Sequence, residues 1–184
     1  MVIAKQSNIM NTNPIIYEPF SFEKQTFKCV SYTEKEFIME WTMEPGGKVP
    51  THTHEFSDEY FFITKGSVKF TVDGETIYKK AGEELLVKKD IPHSITNDTK
   101  EEIAVNVKYS PCADIHRMFT IMATLNKSNP GSSVNIMKYF YLVPLLGLKS
   151  FSTPQPKFVF LILTLILTIT GKFSGWNKLI EKFK

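Results

Sequence analysis

Between Phe27 and Tyr109 apolar residues recur at every second position in short runs, and most of these runs stop at Gly, Pro, Asp or Asn. Side chains at i and i+2 lie on one face of a strand, so such runs read as half-buried strands. Phe37, Met39, Trp41 and Met43 share one face, and Ile38, Glu40, Thr42 and Glu44 share the other. Pro45-Gly46-Gly47 ends that strand, and Asp73-Gly74 is a two-residue hairpin signal between Ser67–Val72 and Glu75–Lys79. Short strands with turn signals about every 8 to 12 residues predict a sandwich or a barrel.

Within this pattern lie histidines with a common direction. His52 and His54 are two apart in an extended stretch and project together. Glu59 opens the next strand and shares its face with Phe61 and Ile63. His93 shares a face with Ile95 and Asn97. A carboxylate and imidazoles aimed into one interior form a set of ligands for a divalent transition metal. Asp58 points the opposite way from Glu59 and is left out of the set. His116 falls in a predicted helix beside Arg117 and reads as a surface residue without a role.

Gly46, His52, His54, Glu59 and Gly66 fill the first motif of the cupin superfamily with every spacing met. Gly82, Pro92, His93 and Asn97 fill the outer positions of the second. Its inner turn departs from the pattern, with Lys88 and Asp90 at the usual Pro and Gly positions; Asp tolerates a left-handed turn better than most residues. The chain therefore resembles a small single-domain cupin over roughly residues 25–112.

The resemblance implies a mainly β fold, a double-sheet jelly-roll barrel followed by a helical C-terminal extension. It implies one divalent transition metal ion (Fe, Mn, Ni, Cu or Zn) on His52, His54, Glu59 and His93. It also implies a metal-dependent enzyme, dioxygenase- or isomerase-like, acting on a small molecule, or else a non-catalytic module of the same fold that binds or senses one. Trp41, Phe61 and Ile63 are the expected apolar wall of the pocket. Cupins often pair strands as homodimers, and an N-terminal arm over residues 1–24, with its apolar Ile15-Ile16-Tyr17, would serve that purpose.

Composition narrows the partners. The net charge is +3, and Arg117 is the only arginine among scattered lysines. Bidentate base readout leans on arginine, so nucleic acid is not an expected partner. Cys29 and Cys112 lack a metal-binding spacing, which fits a reducing cytoplasm. The N-terminal residues lack the apolar stretch of a secretory signal.

After Pro111 the texture changes, and residues 113–184 read as the extension. Ile115, Met118, Phe119, Met122 and Leu125 follow helical spacing behind Asp114, a predicted cap. Val134–Leu148 is a second apolar segment, interrupted by Pro144. Phe158–Thr170 is almost wholly apolar and followed by the lysine-bearing Gly171–Lys184. Extended to residue 178, the apolar run approaches the length of about 20 residues that a bilayer core requires. Membrane anchoring through residues 158–178, with the barrel in the cytoplasm, is the resulting expectation.

Overall fold

A computed structural model describes residues 18–148, 153–154 and 156–183. The alternating segments form two antiparallel sheets that enclose the core. One takes β1 (Phe20–Phe22), β2 (Gln25–Tyr32), β3 (Phe37–Met43), β5 (Asp58–Lys65), β8 (Glu84–Val87) and β10 (Ile103–Ser110), in the order β1-β2-β3-β10-β5-β8. The other takes β4 (Lys48–Thr53), β6 (Ser67–Val72), β7 (Glu75–Lys80), β9 (His93–Thr96) and β11 (Thr153–Pro154), in the order β11-β4-β9-β6-β7. Phe37, Met39, Trp41 and Met43 are all buried, as their alternation requires.

The turn chemistry matches the residues. Asp73 and Gly74 both have positive φ, 51° and 86°, as a hairpin turn of the mirror-image type I needs. Asp90 occupies the left-handed region at φ 65°, and its backbone N–H donates to the carbonyl of His54 at 2.8 Å. The departure in the second motif thus keeps a left-handed turn without glycine.

Among the described residues four helices follow: α1 (Ile115–Ser128), α2 (Ser133–Leu145), α3 (Lys157–Phe173) and α4 (Asn177–Phe183). Asp114 stands at the N-terminus of α1, but its side chain makes no capping bond. Its backbone, at φ −98° and ψ 8°, is not the extended conformation that capping uses. Pro144 is accommodated in the last turn of α2 rather than dividing the segment. His116 is half-buried, not a surface residue: its ring stacks on Tyr32 with centroids 3.8 Å apart, and its Nδ1 lies 3.7 Å from Cys112 Sγ. The sequence pattern marks its helix but not the strand that α1 packs against. Of the N-terminal arm, β1 is an edge strand paired with β2; Ile15-Ile16-Tyr17 lies outside the described residues.

Residues 158–178 do not form a single straight span. Gly175, at φ 73°, sits in the break between α3 and α4, and the two helices are bent by 100°. Among the described residues no single helix is long and apolar enough to cross a membrane; the bent pair passes that test only by length and composition.

Candidate metal centre

His52 lies near the end of β4, and His93 opens β9 directly opposite it in the ladder. His54 follows just beyond β4. Glu59 comes from β5 in the facing sheet, so the four residues meet across the barrel interior. All four are buried, and one ligand atom of each lies within 4.8 Å of the others.

Backbone carbonyls orient two of the imidazoles. His52 Nδ1 donates to the Pro50 carbonyl at 2.8 Å, and His93 Nδ1 donates to that of Ile91 at 2.9 Å. Each ring thereby presents Nε2 to the interior, the arrangement in which a second partner fixes the tautomer of a ligating histidine. Glu59 Oε2 lies 2.9 Å from His93 Nε2 and 3.1 Å from His54 Nε2. Three imidazoles and one carboxylate, without thiolate, suit a divalent transition metal. Such a set leaves further positions on a six-coordinate ion for other ligands.

The charges are mutually dependent. Burial works to raise the Glu59 carboxyl, but His54 and His93 outweigh it and hold it well below the usual carboxylate range. Burial works to lower His93, but its bond to Glu59 prevails and raises it. His52 is pushed down to about 3 by burial and then by the neighbouring imidazoles, which keeps its ring neutral. The Glu59 carboxylate and the His93 imidazole therefore each favour the other's charged form.

A cavity of about 310 Å³ adjoins the centre, with His52, His54 and Glu59 on its wall. Trp41 lines it as expected, but Phe61 and Ile63 do not; both are fully buried in the core. Besides the strands, the helices wall it, through Phe119 of α1 and Ile136, Tyr139 and Phe140 of α2. Their apolar periodicity is legible in sequence, but the cavity they close is not. Asp58, left out of the expected ligand set, pairs with Lys88 at 2.8 Å.

The Cupin domain family model matches residues 39–107. Residues 39–107 form a cupin domain. Polyketide synthase CurC of Streptomyces cyaneus is 31% identical over 71 residues, 39% of this chain and 46% of its own length. Tetracenomycin polyketide synthase protein TcmJ of Streptomyces glaucescens is 32% identical over 77 residues, 42% of this chain and 52% of its own. The chain thus spans about half the length of the curated relatives it matches. KdgF from Halomonas sp. superposes with a TM-score of 0.51 over 54% of this chain and 90% of its own, at 18% identity, and is similar in fold alone.

Proposed function

We propose that this cupin is a metal-dependent enzyme acting on an apolar small molecule that carries an oxygen function, with the ion held by His52, His54, Glu59 and His93. The observation that carries this reading is the apolar cavity of about 310 Å³ with three of the four donors on its wall, a size and character typical of small-molecule sites. The chemistry such an ion supplies is Lewis-acid polarisation of a substrate oxygen, or electron transfer to dioxygen where the ion is redox-active.

The remaining work falls to the chain. Phe119 and Phe140 offer aromatic surface for a flat ring, and α1 and α2 keep water from the ligand face. The buried Trp41 indole N–H has no hydrogen-bond partner among the described residues; a substrate oxygen would satisfy it, since an unpaired buried donor is costly. Lys48 and Glu23 are the lining residues with a full charge outside the ligand set. That lining suits neither a phosphate nor a polycarboxylate. Two relatives bear the names of polyketide synthase proteins, and an oxygenated polycyclic or polyene substrate fits the same chemistry. The functional unit on this reading is the barrel over residues 25–112 together with α1 and α2, and buried free thiols at Cys29 and Cys112 favour a reducing cytoplasm.

The test is to load the full chain with Fe(II), Mn(II), Ni(II), Cu(II) or Zn(II) and screen apolar oxygenated molecules by mass spectrometry beside an oxygen electrode. Product formation matched by dioxygen loss makes it an oxygenase; conversion at constant dioxygen places it with the isomerases. One observation favours the second reading, a non-catalytic binding or sensing module. Outside the ligand set, the buried titratable groups on the cavity wall are the phenols of Tyr109 and Tyr139, and burial pushes the Tyr139 phenol further up. Tight binding without conversion under every metal would establish that module and end the enzyme reading.

A further inference from the structure

Helix α3 reverses the usual arrangement of a helix on a water-soluble domain. Its two fully buried residues are Leu167 and Gly171, and Thr164 and Thr168 are half-buried. Its outward residues are long aliphatics and aromatics: Leu161 is 67% exposed, Leu165 62% and Phe173 90%. Phe158, Leu161, Leu165 and Ile169 recur at helical spacing on the exposed surface. The hydroxyls of Thr164, Thr168 and Thr170 bond to backbone carbonyls of the preceding turn, at 2.8 to 2.9 Å. No threonine hydroxyl on this helix therefore needs water. Gly171 permits the closest approach, since a Cβ there would meet the Tyr141 ring of α2 at 2.6 Å. Small residues toward protein and large apolar ones outward are the pattern of a helix whose outer solvent is lipid.

Both ends of α3 are fastened to the same body. Before it, Pro154 of β11 pairs with His52 of β4. After it, the Tyr141 hydroxyl bonds Asn177 and Arg117 donates to the Phe183 carbonyl at 3.1 Å. A helix crossing a bilayer must place its ends on opposite sides of a core of about 30 Å, and a 17-residue helix reaches only about 25 Å. Lys157 begins α3, Lys172 lies in its last turn, and Lys178 and Lys182 follow on α4; all four are exposed, with Glu181 the only acid in this stretch.

We propose that α3 docks flat on an anionic lipid surface. Its aliphatic stripe would enter the headgroup–acyl boundary, and the four lysines would lie among the headgroups, as in interfacial helices. A second copy suits this face less well. Paired in either direction, copies of α3 would set lysine against lysine at each end. The docked face adjoins a cavity of about 390 Å³ bounded by Val159, Phe160, Leu163 and Tyr139 and reaching His52, so the route toward the metal centre would open at the lipid boundary. The docking itself does not depend on metal or catalysis.

The full-length chain should float with vesicles of phosphatidylcholine containing about a third phosphatidylserine, bind pure phosphatidylcholine more weakly, and lose anionic binding as salt shortens the screening length. Leu161→Glu/Leu165→Glu should lower partitioning about tenfold or more, whereas Leu86→Glu, an exposed leucine on β8, should leave it unchanged. Lys178→Glu/Lys182→Glu should abolish the preference for anionic vesicles. Unaltered metal content and circular dichroism in these variants would exclude misfolding as the cause. Absence of vesicle binding, binding unaffected by Leu161→Glu/Leu165→Glu, or retention through a carbonate wash would overturn flat docking. So would a detergent-free dimer that the same variant dissociates.

Discussion

Glu59 reaches the centre from one sheet while His52 and His93 reach it from the other, so each residue is set by a separate strand. Their convergence was legible because the period of two assigns each side chain to a face, and two separately spaced motifs agree. The surroundings of His93 lead to the first prediction. His93→Ala should weaken metal binding by more than the roughly 10- to 100-fold that loss of an outer partner brings, and elemental analysis of purified His52→Ala/His93→Ala should find no stoichiometric metal. The second prediction concerns pH. Because the bond to Glu59 outweighs burial and raises His93, metal must displace a proton there. Affinity should rise with pH until that proton is gone, and titration calorimetry in buffers of different ionisation heat should register its release. In the metal-free chain the sign is opposite. The stability that His93 gains from Glu59 is fully present below the ordinary imidazole value of 6.5 and is lost as pH rises through the raised value.

Elements differed in what their sequence disclosed. Strand faces could be assigned, but depth along the barrel could not: Phe61 and Ile63 share the face of Glu59, yet each further pair of residues moves about 7 Å along the strand, away from the cavity. The helices α1 and α2 announced their apolar stripes without announcing that they cover the ligand end, because docking is decided by tertiary packing. Turn chemistry was more transparent. Asp90→Ala should destabilise by about 1 kcal/mol, because a Cβ without a local hydrogen-bonding group is penalised in the left-handed region. Asp90→Gly should be neutral or mildly stabilising, with chemical denaturation midpoints as the measure. Gly171→Ala tests the opposite balance. Ala gains about 1 kcal/mol of helix propensity over Gly, but its Cβ would lie 2.6 Å from two carbons of a buried tyrosine ring. Overpacking of about 1–3 kcal/mol should win, and hydrogen exchange in α3 should quicken.

For the molecule as a whole, a bound ion would couple to the fold by mass action. An ion present at about 100 times its dissociation constant stabilises the native state by about 2.7 kcal/mol. For a chain of this size that corresponds to about 5–10 °C in Tm, so a chelator should lower the calorimetric midpoint by that amount, and His93→Ala should be indifferent to it. Sequence alone presents the extension as an appendage with a run approaching bilayer-crossing length. Its apolarity was correctly seen, but its bend and its fastenings depend on contacts with α1, α2 and β4 that no local pattern records. Chief among them is the two-residue strand β11, which lays Pro154 against His52. The tail and His52 thus share one hydrogen-bonded edge, and neither can be displaced without the other's backbone registering it. Thermodynamic reciprocity then fixes the relation between the two ends of the molecule: by whatever factor a loaded centre alters the hold on a surface, that surface alters the hold on the ion.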